Sequence, residues 1–183
     1  RFDGAEAVVD ARVLAGMEDG APPTLRVMSA TDDDVHLKLY GSGAEMPLST
    51  VLPILENFGL SVHTQRPYAV TRAGRTAQWI HEFEADHPQA ATFAAPGATV
   101  ADAVAEAFAE IVSARAEDDG LNRLIIAAGF TPRQVVLVRT ITRYLVQTEL
   151  PYSPAYVESQ LTAHAELVGM LVALFEARFD PAN

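Results

Sequence analysis

The sequence predicts an α+β fold: an antiparallel sheet with two helices, followed by an all-α bundle of about five helices. Two observations carry this. Up to about residue 84, short runs of alternating apolar residues are separated by Gly, Pro and Asp clusters, with helical spacing in two stretches. Beyond residue 98 only the helical period remains. The intervening Ala-, Pro-, Gly- and His-rich stretch reads as a linker, giving domains at 1–84 and 99–183 joined by 85–98.

Taken in order, Ala5, Val9, Val13 and Met17 form a helical face that Gly20, Pro22 and Pro23 break. Leu25, Val27 and Ser29 alternate with Arg26 and Met28, and Val35, Leu37 and Leu39 with His36, Lys38 and Tyr40. They read as a hairpin around residues 31–34. Ser49 is expected to cap a helix over 50–58, with Val51, Leu52, Leu55 and Phe58 as its buried stripe and Gly59 as its stop. Strands are expected over 60–70 and 78–83, with a loop at 71–77. The two helices are expected to share one face of the sheet. In the second half, helical spacing begins at Val100, Val104 and Phe108, and a short apolar helix over 121–128 ends at Gly129. Thr131-Pro132-Arg133-Gln134 is a capping box opening a helix to about residue 148, and Ser153-Pro154 repeats the start signal. Leu167, Leu171, Leu174 and Phe175 mark the last helix. Seven of the eleven residues at 135–145 are apolar, so cover on more than one side is expected there.

Composition excludes several function classes. A hydrophobic fraction of 49% with 20% charge is that of a folded chain, so intrinsic disorder is excluded for most of it. Thirteen basic against 24 acidic residues give a net charge of −11, which repels phosphate backbones, so nucleic acid is not an expected partner. With no Cys there is no disulfide scaffold, thiolate metal site or cysteine nucleophile. The longest apolar run, 167–175, is too short for a membrane span of about 20 residues, and no membrane partner is expected. The chain opens on Arg1 with no signal-peptide pattern and is expected to be part of something longer.

Residues with possible chemistry are few. Gly41-Ser42-Gly43 follows a strand but lacks the third glycine and helix start of a dinucleotide fingerprint, and a plain loop is favoured. Residues 32–34 read as a solvated turn and 117–119 as helix-capping acids. His36, His63 and His81 lie on strands, but nothing in their spacing demands a metal. Arg139 and Arg143 stand four apart on one helix with Arg123 and Arg133 nearby. Ion pairs with the acids at 117–119 are the ordinary expectation, and a groove for a carboxylate ligand is the other. The candidate effector or interface residues are therefore Gly41, Ser42, Gly43, Arg123, Arg139 and Arg143. No catalytic, cofactor-binding or metal-ligating residue is assigned.

Specific strings then add to the periodicity. Residues 47–60, Arg66-Pro67-Tyr68, residues 79–83, residues 117–124, Arg143-Tyr144-Leu145, Tyr152-Ser153 through Tyr156, and residues 174–181 occur in this order. Together they resemble the non-catalytic region of the large bacterial NAD-specific glutamate dehydrogenases, over about residues 45–181. The resemblance implies an ACT-like (ferredoxin-like) domain followed by a helical motif, in a cytoplasmic homo-oligomeric parent. That parent deaminates L-glutamate to 2-oxoglutarate and ammonia with NAD, through a catalytic domain elsewhere in the chain. The family's catalytic lysine and Gly-rich NAD motif have no counterpart here, so this part is expected to be inactive and to hold no cofactor. Its expected partners are other domains of the same chain, identical subunits and an amino-acid effector. The order α-β-β-α-β-β fits an ACT-like domain with its first strand missing or displaced. His164-Ala165-Glu166 departs from the family's usual Pro after His and implies a different helix start. A stand-alone amino-acid-binding sensor is the alternative.

Overall fold

The computed structural model describes residues 4–31, 33–71, 74, 76–94, 99–148 and 151–179. Asp32 of the expected turn, residues 72, 73 and 75 of the expected loop, 95–98 of the expected linker and the string's end at 180–181 lie outside the described residues. The elements are α1 (Gly4–Gly16), β1 (Thr24–Ala30), β2 (Asp34–Ser42), α2 (Leu48–Asn57), β3 (Ser61–Val70), β4 (Gln78–Asp86) and α3 (Ala91–Ala94). They continue with α4 (Val100–Val112), α5 (Leu124–Ala127), α6 (Pro132–Gln147), α7 (Pro154–Ala163) and α8 (Ala165–Phe179). A 3-10 turn at Gly120–Arg123 leads into α5. The fold is therefore the expected antiparallel sheet with helices, followed by helical segments.

The four strands lie in the order β1-β2-β4-β3, each antiparallel to its neighbours. Starting at β2, the chain reads β2-α2-β3-β4-α4, with β2 and β3 on either side of β4. This is the split β-α-β of a ferredoxin-like sandwich. Its closing edge strand comes from the N-terminal side: β1 sits beside β2, where a β-α-β-β-α-β chain would place its last strand. The expectation of a missing or displaced first strand is therefore corrected: the first strand is present as β2, and it is the last strand whose place is taken from the N-terminal side, by β1.

Alternation along the strands sorts the sheet into two faces. Leu25, Val35, Leu37, Leu39, Trp79, Phe83 and Ala85 turn to a large core with Val51, Ile54, Leu55 and Phe58 of α2 and Val104, Ala107 and Phe108 of α4. Tyr40 and Ile80 turn to the other face, against Leu14 of α1 and Met17. The expectation that the first two helices share one face is therefore corrected. The pair on the main face is α2 and α4, and α1 covers the opposite side. The reason lies in α4, whose apolar stripe is continuous with the main core, whereas α1 packs Val13 and Leu14 on the separate cluster around Tyr40 and Ile80. The main core also takes in Leu121, Leu124, Ile125 and Ile126 and reaches Val168 and Val172 of α8. Each such large side chain contributes about 1.5–3 kcal/mol on burial.

Local starts and stops follow the sequence closely. Thr131 and Gln134 form the capping box of α6, and the Tyr156 backbone N–H donates to the Ser153 hydroxyl at the start of α7. For α2 the start is corrected: Pro47 is the N-cap and Ser49 lies inside the first turn. Its end is a Schellman motif in which Gly59, at φ +89°, lets Leu60 N–H reach the Leu55 carbonyl at 3.1 Å. β4 runs three residues beyond its expected end, to Asp86, because Ala85 is buried between Val35 and Val62. His164 caps the C-terminus of α7, and α8 starts directly after it.

Candidate functional site

The expected loop at residues 41–43 is corrected: Gly41 and Ser42 are the last two residues of β2, paired with β4, and they serve packing. Gly41 pairs with Trp79 across β2 and β4, and a Cβ on Gly41 would collide with the indole ring. Ser42 donates to Asp19 at 3.3 Å, and the Gly43 N–H donates to the Ala77 carbonyl at 2.8 Å. With the close approach filled by Trp79 and α2 starting only at Leu48, these residues do not fit a dinucleotide pyrophosphate, whose cradle needs free backbone N–H groups at a helix start.

The arginines separate into two kinds. Arg139 is buried and forks onto Asp119, with Nε 2.6 Å and Nη2 2.8 Å from the two carboxylate oxygens, and reaches Asn122 at 3.0 Å. Asp119 also caps the 3-10 turn by accepting the Leu121 N–H at 3.1 Å. Arg143 pairs with Glu117 at the surface, one contact being 2.6 Å, and this hydrogen bond raises its already high pKa. Arg123, by contrast, is exposed and, among the described residues, makes a long 3.5 Å contact to the Glu56 carbonyl.

Arg123 opens into a cleft of about 870 Å³ between the sandwich and the helical segments, lined also by Asn57, Ser61, His87, Gln89 and Glu158. His87 is buried at its edge, and the Gln89 N–H donates to its Nδ1 at 3.0 Å. Burial first, and the Arg123 charge second, hold the His87 pKa below the ordinary imidazole value. The cleft thus offers the exposed Arg123 guanidinium, the Glu158 carboxylate and the His87 imidazole, a set that can hold a small zwitterion. Sequence reasoning named Arg123 but missed His87, Asn57 and Glu158, whose meeting depends on packing between distant segments.

The histidines named from the sequence do not converge. His36 lies 2.8 Å from Glu82 on the α1 side of the sheet, His81 bonds Glu45 on the main-core side, and His63 stands near Asp86 at the sheet's end.

A third feature is apolar. Along α6, Val135 and Val138 are buried while Val136, Ile141, Tyr144 and Leu145 are exposed, so the expected cover on more than one side is absent among the described residues. On α8 only Val168 and Val172 are buried, and Met170, Leu171 and Leu174 are 59%, 55% and 66% exposed. Between α6, α7 and α8 runs a groove lined by Ile141, Leu145, Val157, Leu161, Leu171 and Phe175. Tyr152 and Tyr156 stack beside it with ring centroids 5.3 Å apart. No helix among the described residues is long and apolar enough to cross a membrane.

Two family models match consecutive parts of the chain: "Glutamate dehydrogenase, ACT3 domain" over residues 24–97 and "Glutamate dehydrogenase, helical motif 3" over 116–181. The first begins at β1, so α1 precedes it. Curated relatives include the NAD-specific glutamate dehydrogenases of Halomonas elongata, 38% identical over 185 residues, and Pseudomonas aeruginosa, 34% identical over 182. That of Mycobacterium tuberculosis is 38% identical over 184. These alignments cover 100%, 98% and 97% of this chain but only 11% of each relative. Matched on both its sheet and its helical half, and in the same order, the chain belongs to the glutamate dehydrogenase family, as its ACT3 domain and helical motif 3.

Proposed function

We propose that this chain is a non-catalytic assembly and regulatory segment of an NAD-specific glutamate dehydrogenase. Its parent oxidatively deaminates L-glutamate to 2-oxoglutarate and ammonia with NAD, in the cytoplasm, using residues outside this segment. The observation that carries the assembly role is the apolar face of α6, α7 and α8. A contiguous exposed patch of this kind marks an interaction surface, since isolated domains keep such patches small. Its occupants are other domains of the parent chain or identical subunits. Light scattering on the parent enzyme tests this. With Leu171 and Leu174 both changed to Glu, the native assembly is expected to dissociate, and an unchanged mass and activity overturns the assembly role. Assayed alone, the segment is expected to reduce no NAD with glutamate; turnover there overturns its non-catalytic character.

The cleft at Arg123 supports a second reading, amino-acid sensing, which a stand-alone sensor would share. Thermal-shift titration with amino acids is expected to give saturable stabilisation that Arg123→Ala abolishes. A flat response across the set removes sensing by this cleft.

A further inference from the structure

The α1-side face of the sheet carries a ladder of directly opposed polar residues between β2 and β4. Lys38 faces Glu82, and His36 faces Glu84, so both pairs join a basic residue to an acidic one. The next rung breaks the rule: Asp34 faces Asp86. Two carboxylates opposed across strands repel and cost stability unless something positive lies between them. The third strand supplies no cation there but an imidazole. Val62 pairs with Ala85 and Thr64 with Glu84, so His63 is the extra residue of a bulge. Bulges re-aim side chains, and this one leaves His63 Nδ1 3.7 Å from an Asp86 carboxylate oxygen. One ligand atom from each of Asp34, His63 and Asp86 can be chosen so that all three lie within 4.8 Å of one another.

We infer that Asp34, His63 and Asp86 form a site for a divalent first-row metal ion of the zinc class, bridging the ends of β2, β4 and β3. Two carboxylates with one imidazole suit a borderline ion, in contrast to the all-oxygen sets of magnesium and calcium. Bonds of about 2.0–2.2 Å place neighbouring ligand atoms about 3–3.5 Å apart, so from separations of up to 4.8 Å the exposed side chains need to close by at most about 1.5–2 Å. Three protein ligands leave the remaining positions to water or to a group from a neighbouring surface. The two aspartates cancel the ion's charge, and the ion removes the like-charge rung. The inference is independent of the assembly role, because the site lies on the sheet and the apolar face on the last helices.

Calorimetric titration of zinc chloride into the 183-residue chain tests it. One equivalent is expected to bind with a micromolar dissociation constant, weakened at least about tenfold by His63→Ala and by Asp86→Asn. His164→Ala, at an exposed histidine outside the cluster, is expected to leave binding unchanged. Cobalt(II) gives a second readout: visible ligand-field bands should appear with the unaltered chain and vanish with His63→Ala. The three side chains are exposed, so circular dichroism is expected to show each variant folded. Absence of saturable zinc binding up to about 1 mM overturns the site, as does binding that both substitutions leave intact.

Discussion

Arg139 pins the helical half to its acidic turn, and its neighbours show what each residue contributes. A guanidinium matches a carboxylate in two parallel hydrogen bonds, which an ammonium cannot copy. Arg139→Ala leaves Asp119 and Asn122 without this partner in a largely buried place. It should lower the unfolding free energy by about 3 kcal/mol in urea titrations, with Arg139→Lys restoring only part. Arg143→Ala removes a solvent-screened pair and should leave the urea midpoint unchanged. At Gly41 the limit is steric. Gly41→Ala drives a methyl group into Trp79 and should cost about 1–3 kcal/mol by the same measurement. His87 sets a pH dependence. Its folded-state pKa is depressed, so the unfolded chain binds the proton more readily and stability rises with pH. The full contribution is present above about pH 6.5 and is lost as pH falls through the lower folded-state value. Melting temperatures from pH 8 to 5 should fall in the unaltered chain and fall less in His87→Gln.

Among the elements, α1 and α4 were told apart only by their partners. Both show helical spacing, but α4 buries Val104 and Phe108 in the main core, whereas α1 sets Leu14 on the opposite face beside a buried charged pair. Lys38, 2% exposed, donates to Asp10 at 2.9 Å, and the Tyr40 hydroxyl donates to the same carboxylate at 2.7 Å. Burial alone would lower the Lys38 pKa, but the hydrogen bond and charge of Asp10, with help from Glu6, raise it above 10.5. Burial, and then the Asp10 hydrogen bond, raise Tyr40 as well. With the folded-state pKa of Lys38 raised, its stabilising contribution is complete below pH 10.5 and is lost only as pH climbs through the higher value. The docking of α1 should therefore be insensitive to pH across the neutral range. Asp10→Ala removes the shared acceptor and leaves a buried ammonium with only the longer 3.4 Å contact to Glu6. Trypsin cleavage after Arg12, which lies in α1, should then accelerate several-fold while the sheet core stays intact, as mass spectrometry of the limited digest would report.

At the scale of the whole molecule, one core runs from the sheet through α4 into α8, while the far side of the last helices stays apolar and open. Double substitution of Leu171 and Leu174 by Glu should leave the fold of this segment intact, since both side chains are exposed, and act only on what docks there. Unchanged circular dichroism of the segment, alongside a smaller parent particle in light scattering, is the expected pair of results.

Much of this was legible in the sequence. The capping box at Thr131, the Gly59 stop and the alternation of Val35, Leu37 and Leu39 are local signals, written within one turn or strand, and the structure keeps them. The pairing of acids at 117–119 with Arg139 and Arg143 was also an ordinary expectation of charge. What the sequence determined alone was the type and order of the elements and, through its strings, the family. Tertiary structure decided which helix covers which face, where β1 enters the sheet, and which side chains meet. Those outcomes rest on contacts between residues far apart in sequence, such as Lys38 with Asp10, His63 with Asp86 and α4 with β1. Periodicity fixes that an element has an apolar face, but only the competition among all such faces for burial decides which two are joined.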